Sequence, residues 1–178
     1  MLEQRIQQQF FESADLLYQA AEPLARPLDE AAQALLGCIT GGGKLIVSGG
    51  ALATLFVSLC VSGFERERPP LAALALDDGA LLPGLQALGA AGDVLLLLGG
   101  GSHGPDLRQA VERAHDQEMA IVALAPAGSP WREALAETDV WVAVPHERAA
   151  RVRELQLLML HALADAVDQQ LMGALETS

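Results

Sequence analysis

Four consecutive leucines, Leu95–Leu98, run into Gly99-Gly100-Gly101-Ser102-His103-Gly104, and Pro105-Asp106 follows. The residue types at this junction suit anion binding. Glycines let the backbone turn so that several N–H groups converge, Ser102 adds a hydroxyl, and His103 adds positive charge when protonated. The alternative for His103 is an exposed loop histidine with no ligand. A continuous apolar run bounded by turn residues is the pattern of a strand buried on both faces. Proline shortly after the glycines suits a first helical position. Strand, glycine loop and helix in that order set free backbone N–H groups above the end of a parallel strand. That is where open α/β sheets bind ligands and where a phosphate can be cradled.

The remaining elements must bring other groups to this loop. Residues 1–22 carry Leu2, Ile6, Phe10, Leu17 and Ala20-Ala21 at helical spacing and predict an amphipathic helix, broken by Pro23 and Pro27. A second helix is expected over Leu28–Thr40. Lys44–Ser48 reads as a buried strand closed by Gly49-Gly50, and Ala51–Gly63 as a helix with Leu52, Leu55, Phe56, Leu59 and Cys60 near one stripe. Leu71–Leu76, Met119–Leu124 and Asp139–Val144 are further strands. Ala80–Leu88 is a short helical or irregular link, Trp131–Glu137 a short helix, and 147–172 the longest helix. Strands alternating with helices imply right-handed parallel crossovers, hence a three-layer αβα sandwich with a mostly parallel central sheet. The organisation expected is an N-terminal helical extension, 1–40, on an α/β unit, 41–178, without a linker between them.

Composition narrows the function classes. The chain has 178 residues, enough for one full core. A net charge of −12 argues against a general nucleic-acid binder, which needs a basic face. The leucine run is too short to span a membrane, and the N-terminus mixes acids and glutamines with its apolar residues, unlike a signal peptide. A cytoplasmic protein is expected. Cys38 and Cys60 lack metal-site spacing and read as buried reduced thiols.

Several segments resemble one family. GKLIVSGG, FERERPPLAALAL, LGAAGDVLLLL, AHDQEMAIVAL and ARVRELQLLMLHALADAVDQQL are similar, in order, to the sugar isomerase (SIS) fold. The likeness is closest to its phosphoheptose isomerase branch, which also holds the DnaA initiator-associating proteins. The resemblance covers nearly the whole chain, with Glu67-Arg68-Pro69 and ALG-x-x-GDVLL its more specific pieces. It implies phosphate contacts from a first loop, here Gly49 and Gly50, and a second loop, here Gly100, Gly101, Ser102 and His103. The family's first loop has the form GNGGSAxDAQHF; this chain is shorter there and lacks the Asn and Ser. The positions of the family's His before Phe and of its catalytic Glu hold Leu55 and Leu59. Neither can take or give a proton, and aldose–ketose isomerisation needs a group that does. The family's second loop, STSGNS, is replaced by glycines, and each missing hydroxyl hydrogen bond would have contributed about 0.5–1.5 kcal/mol. The stretch between Leu76 and Leu88 is also contracted.

The last helix keeps part of the family pattern RIQExHxxxxH. His161 stands where the family has its final His, Arg153 replaces the Gln, and Gln156 the inner His. If the chain is active, His161 is the inherited catalytic group; otherwise it is a satisfied core or interface histidine. One imidazole is not a metal site, so no metal or cofactor is expected. The resemblance therefore implies a catalytically inactive, oligomeric protein that binds a carbohydrate phosphate or regulates a partner. An active phosphoheptose isomerase with a modified site is the alternative. Partners implied are further copies of the chain, as dimer or tetramer, a sugar phosphate, and a replication initiator or other protein met through Leu171 and Met172. Simple packing is the alternative for that apolar pair. Nucleic acid and membrane are not expected partners.

Overall fold

The computed structural model describes residues 1–100 and 107–173. Five strands form one parallel sheet: β1 (Leu45–Ser48), β2 (Ala73–Leu76), β3 (Val94–Leu98), β4 (Ala120–Pro126) and β5 (Val140–Val144). Their spatial order is β2-β1-β3-β4-β5. Register runs Leu45 beside Ala73 and Val94, Leu95 beside Ile121, and Val122 beside Val140. The chain leaves β1 outward to β2, crosses back to β3, and proceeds the other way to β4 and β5. The switch point therefore lies between β1 and β3, the place where doubly wound sheets open a crevice at their carboxyl ends.

Side chains alternate across the sheet and so build two cores. Leu45, Val47, Leu96, Leu98, Val122 and Leu124 pack under α1 (Leu2–Thr40), α2 (Ala51–Ser62) and α5 (Ala149–Met172). Ile46, Leu95, Leu97, Ile121 and Ala123 pack under α3 (Leu81–Leu88) and α4 (Leu107–Asp116). β1 and β3 are buried along their whole length, as the apolar runs require. The three-layer αβα sandwich is the observed architecture.

Three expectations are corrected. The N-terminal region is one helix of 39 residues, with Pro23 and Pro27 inside it, rather than two helices broken there. Pro23 is exposed, while Ala20, Leu24, Ala31, Ala32 and Leu35 are buried and hold the helix to the body. Consequently α1, not the C-terminal helix of 24 residues, is the longest. The segment expected as a helix over Trp131–Glu137 is a 3-10 turn, Pro130–Ala134, started by Ser129, whose hydroxyl accepts from the Trp131 N–H. The link after β2 is helical, with Pro83 in the first turn, where its missing N–H has no partner to lose. The expected helix start at Pro105-Asp106 lies outside the described residues.

Two ion pairs, each with a buried carboxylate, brace the fold. Asp93, 2% exposed, accepts from the Lys44 ammonium at 2.5 Å and from the Lys44 and Ala90 N–H groups, tying the starts of β1 and β3. Arg68 meets Asp168 at 2.5 Å and also donates to the Cys60 and Leu59 carbonyls, tying α2 to α5. Both thiols are free and buried, as expected; burial pushes Cys38 up and Cys60 up to about 12.

Candidate functional site

A cleft of about 430 Å³ opens at the carboxyl end of the sheet, over the β1/β3 switch point. Its floor is two glycine turns. Gly49, at φ +147°, follows β1, and a Cβ there would run into the Leu98 Cβ. Only glycine lets the two neighbouring strands end this close together. Gly50, at φ +64°, starts α2, and its carbonyl accepts from the Ala53 and Thr54 N–H groups. The N–H groups of a first helical turn have no partner within the helix; here they belong to Ala51 and Leu52, which line the cleft.

The second turn, Gly99-Gly100, follows β3. The Gly99 N–H donates to the Leu124 carbonyl at 2.8 Å. A Cβ on Gly99 would meet Ala125 and the Trp131 ring within 3 Å, and one on Gly100, at φ +129°, would lie 2.8 Å from Val152. Gln156, 3% exposed, fixes this turn: its amide donates to the Gly99 carbonyl at 2.5 Å and the Leu124 carbonyl at 2.9 Å. The residue standing in the inner His position is thus a backbone clamp.

Arg153 lines the cleft from α5, and Asp78 lines it from the turn after β2. They are the two charged side chains among the described lining residues, and no ion pair joins them. Leu52, Leu81, Leu107 and Trp131 supply apolar wall.

Of the residues expected in the site, Gly49, Gly50, Gly100 and Arg153 converge here. Gly101, Ser102 and His103 lie outside the described residues. His161 is not among the lining residues. It stands two turns further along α5, about 12 Å from Arg153, half-buried with its ring 5.1 Å from that of Phe64. Leu55, 37% exposed, and Leu59, packed against the core, do not line the cleft either. Leu171 packs on the core and Met172 is half exposed.

Sequence reasoning missed Asp78 and Trp131. Each follows the carboxyl end of a parallel strand, which is the one signal that could have found them. Among the described residues no group of three metal-ligating side chains comes together.

The cleft of this doubly wound parallel sheet, with glycine turns and an arginine at its rim, lies at the switch point where such folds bind small molecules. No protein-family profile matches the chain. Individual proteins do. It is 47% identical over 193 aligned positions to the phosphoheptose isomerase of Methylibium petroleiphilum, covering 97% of this chain and 96% of that protein. It is 36% identical to the phosphoheptose isomerase of an Azoarcus species, covering 97% and 98%. Among solved structures, phosphoheptose isomerase GmhA from Neisseria gonorrhoeae superposes with TM-score 0.82 at 30% identity, covering 95% of this chain and all of that one. A phosphoheptose isomerase from Francisella tularensis gives TM-score 0.85 at 29% identity, covering 95% and 99%. The chain belongs to the phosphoheptose isomerase family. Since 193 aligned positions exceed the 178 residues of the chain, the Methylibium relative carries segments absent here.

Proposed function

We propose that the cleft over the β1/β3 switch point takes a sugar phosphate and that the chain isomerises a phosphorylated heptose, the reaction its relatives are named for. The observation that carries this reading is 47% identity along almost the whole chain to a phosphoheptose isomerase. Isomerisation between C1 and C2 needs a group that removes a carbon-bound proton and returns it to the neighbouring carbon. Asp78 is the carboxylate available for that among the described lining residues.

A second reading is favoured by Leu55 and Leu59, which occupy the positions where the resemblance places the family's His and catalytic Glu. In it the chain is a non-catalytic oligomeric subunit that binds a sugar phosphate or regulates a protein partner, a replication initiator for example, through Leu171 and Met172. Both readings include self-assembly and a cytoplasmic location. No helix among the described residues is long and apolar enough to cross a membrane.

The test is turnover of sedoheptulose 7-phosphate by the purified chain, followed by NMR. Turnover that drops about 10²–10⁴-fold in Asp78→Asn supports the first reading. Absence of turnover, with ligand-dependent thermal stabilisation retained, leaves the second.

A further inference from the structure

We propose that Ser48 and Gln156 are specificity-determining residues of the cleft, each turning an otherwise unpaired oxygen toward a hydroxyl group of the ligand. This rests on the sugar-phosphate reading and assigns contacts for the hydroxylated carbon chain, not for the phosphate.

The buried polar side chains among the described residues are Ser48, Asp93, Arg151, Gln156 and Asp168. Asp93 accepts at both oxygens, from Lys44 and from the Ala90 N–H. Asp168 also accepts at both, from Arg68 and from the Phe64 N–H. Arg151 donates from both terminal nitrogens. Ser48 and Gln156, 4% and 3% exposed, are the two that keep an oxygen without a partner among the described residues, and both line the cleft. Neither oxygen is closed off from it: the fully enclosed side-chain atoms without a partner are an Arg66 nitrogen and the Gln117 oxygen. Taking a hydroxyl or amide oxygen out of water without a partner is unfavourable. Two such oxygens in one cleft point to a ligand that brings the missing hydrogens.

Local geometry fixes what each group can do. Gln156 spends its amide hydrogens on the Gly99 carbonyl at 2.5 Å and the Leu124 carbonyl at 2.9 Å. Turning the amide over would set its oxygen against two carbonyl oxygens, so the oxygen stays on the other side, as an acceptor only. Ser48 ends β1, beside Leu76 on β2 and Leu97 on β3. Alternation along β1 puts its hydroxyl on the same side of the sheet as Ile46, under α3 and α4. Gln156 comes from α5, on the opposite side. The two groups therefore meet a ligand from opposite sides of the sheet end. Ser48 belongs to β1 and Gln156 is bonded to the β3 and β4 ends, so one or two strand spacings separate them, about 5–10 Å. A phosphate dianion has no hydrogen to give an acceptor, whereas a sugar chain has one on each hydroxyl. The pair is uncharged and so selects for hydroxylation, leaving charge to other groups.

Calorimetric binding of two ligands to the full chain tests the assignment: sedoheptulose 7-phosphate, and butyl phosphate, which has the phosphate and no hydroxyl. The unmodified chain is expected to prefer the sugar phosphate about tenfold or more, since a site built around hydroxyls is left unpaired by a ligand that lacks them. Ser48→Ala and Gln156→Met are each expected to narrow that preference about three- to tenfold. The ratio separates ligand contact from support of the fold, because a glycine turn displaced by loss of the Gln156 bonds would weaken both ligands together. Circular dichroism confirms that each variant is folded. A preference unchanged in either variant would overturn the assignment of that residue. Equal binding of both ligands by the unmodified chain would overturn the proposal while leaving the sugar-phosphate reading intact. If the unmodified chain binds neither ligand, the sugar-phosphate reading itself fails and the proposal with it.

Discussion

Arg68 satisfies four acceptors at once: the Asp168 carboxylate at 2.5 Å, the Cys60 carbonyl at 2.6 Å, the Leu59 carbonyl at 3.0 Å and the Pro69 carbonyl at 3.2 Å. Its side chain is 2% exposed and that of Asp168 is 3% exposed, so each charge is tolerable only beside the other. Arg68→Ala is expected to cost about 3–5 kcal/mol in urea unfolding, because Asp168 would stay buried without a counterion. Removing both charges, Arg68→Met with Asp168→Leu, should recover much of that loss; a double variant as unstable as the single one would contradict the desolvation argument. The Glu67-Arg68-Pro69 signature was legible in the sequence, and this geometry supplies a physical reason for its arginine. Asp78 was not legible. It sits in Asp77-Asp78-Gly79, where acids after a strand look like turn residues. Asp77 is one, accepting from the Ala80 N–H at 2.8 Å. Its neighbour of identical type lines the cleft instead. The turn's hydrogen bond, which uses Asp77 and leaves Asp78 to the cleft, separates the two.

The N-terminal helix shows the same limit at the scale of an element. Two prolines four residues apart read as helix breakers, each costing about 3 kcal/mol in a helix interior. Burial along α1, at Ala20, Leu24, Ala31, Ala32 and Leu35, outweighs that local preference. The strands were legible because their signal is a continuous apolar run, which local propensity and tertiary packing both favour. Nearer its start, α1 is joined to α5 by polar contacts. Arg151, buried, donates to the Ser13 hydroxyl, to Gln9 and to Glu154, and Ser13 donates to Glu154 at 2.8 Å. Partial burial pushes the Glu154 carboxyl up, but the bonds from Ser13 and Arg151, with the charges of Arg151 and Arg148, outweigh it and hold the group below its usual range. A carboxyl depressed in the folded state adds stability above its unfolded pKa of about 4.3, lost as pH falls through the lower folded value. Protection factors in the first half of α1, exchange corrected for its intrinsic slowing in acid, should therefore fall as the solution is taken below about pH 4. In Glu154→Gln protection should already be lower at neutral pH and change less on acidification. Protection that is independent of pH in both proteins would remove Glu154 from the joint.

For the whole molecule, the outstanding feature is the bare face of α1. Its buried residues begin at Ala20, and ahead of them Leu2, Ile6, Phe10, Phe11 and Tyr18 are between 53% and 86% exposed. Between α1 and α5 runs an apolar groove of about 480 Å³, lined by Leu24, Leu28, Leu155, Leu158, Met159 and Leu163 among others. Exposed apolar area on this scale marks an association surface more often than free solvent-facing structure. The net charge of −12 opposes self-association, but charge repulsion is screened within about 8 Å at physiological ionic strength, whereas apolar burial is not. A second copy would bring its own exposed α1 stripe to the groove without any other partner. Light scattering at micromolar concentration is therefore expected to give a mass at least twice that of the chain. Raising salt from about 50 mM to about 500 mM should strengthen the assembly, since it removes the repulsion and leaves the apolar term. Phe10→Glu with Phe11→Glu, at exposed positions where neither side chain supports the fold of one copy, should weaken it. A monomer in all these conditions would mean that the groove and stripe meet a different protein. Assembly that weakens with salt would mean that ion pairs, not the apolar face, hold the copies together.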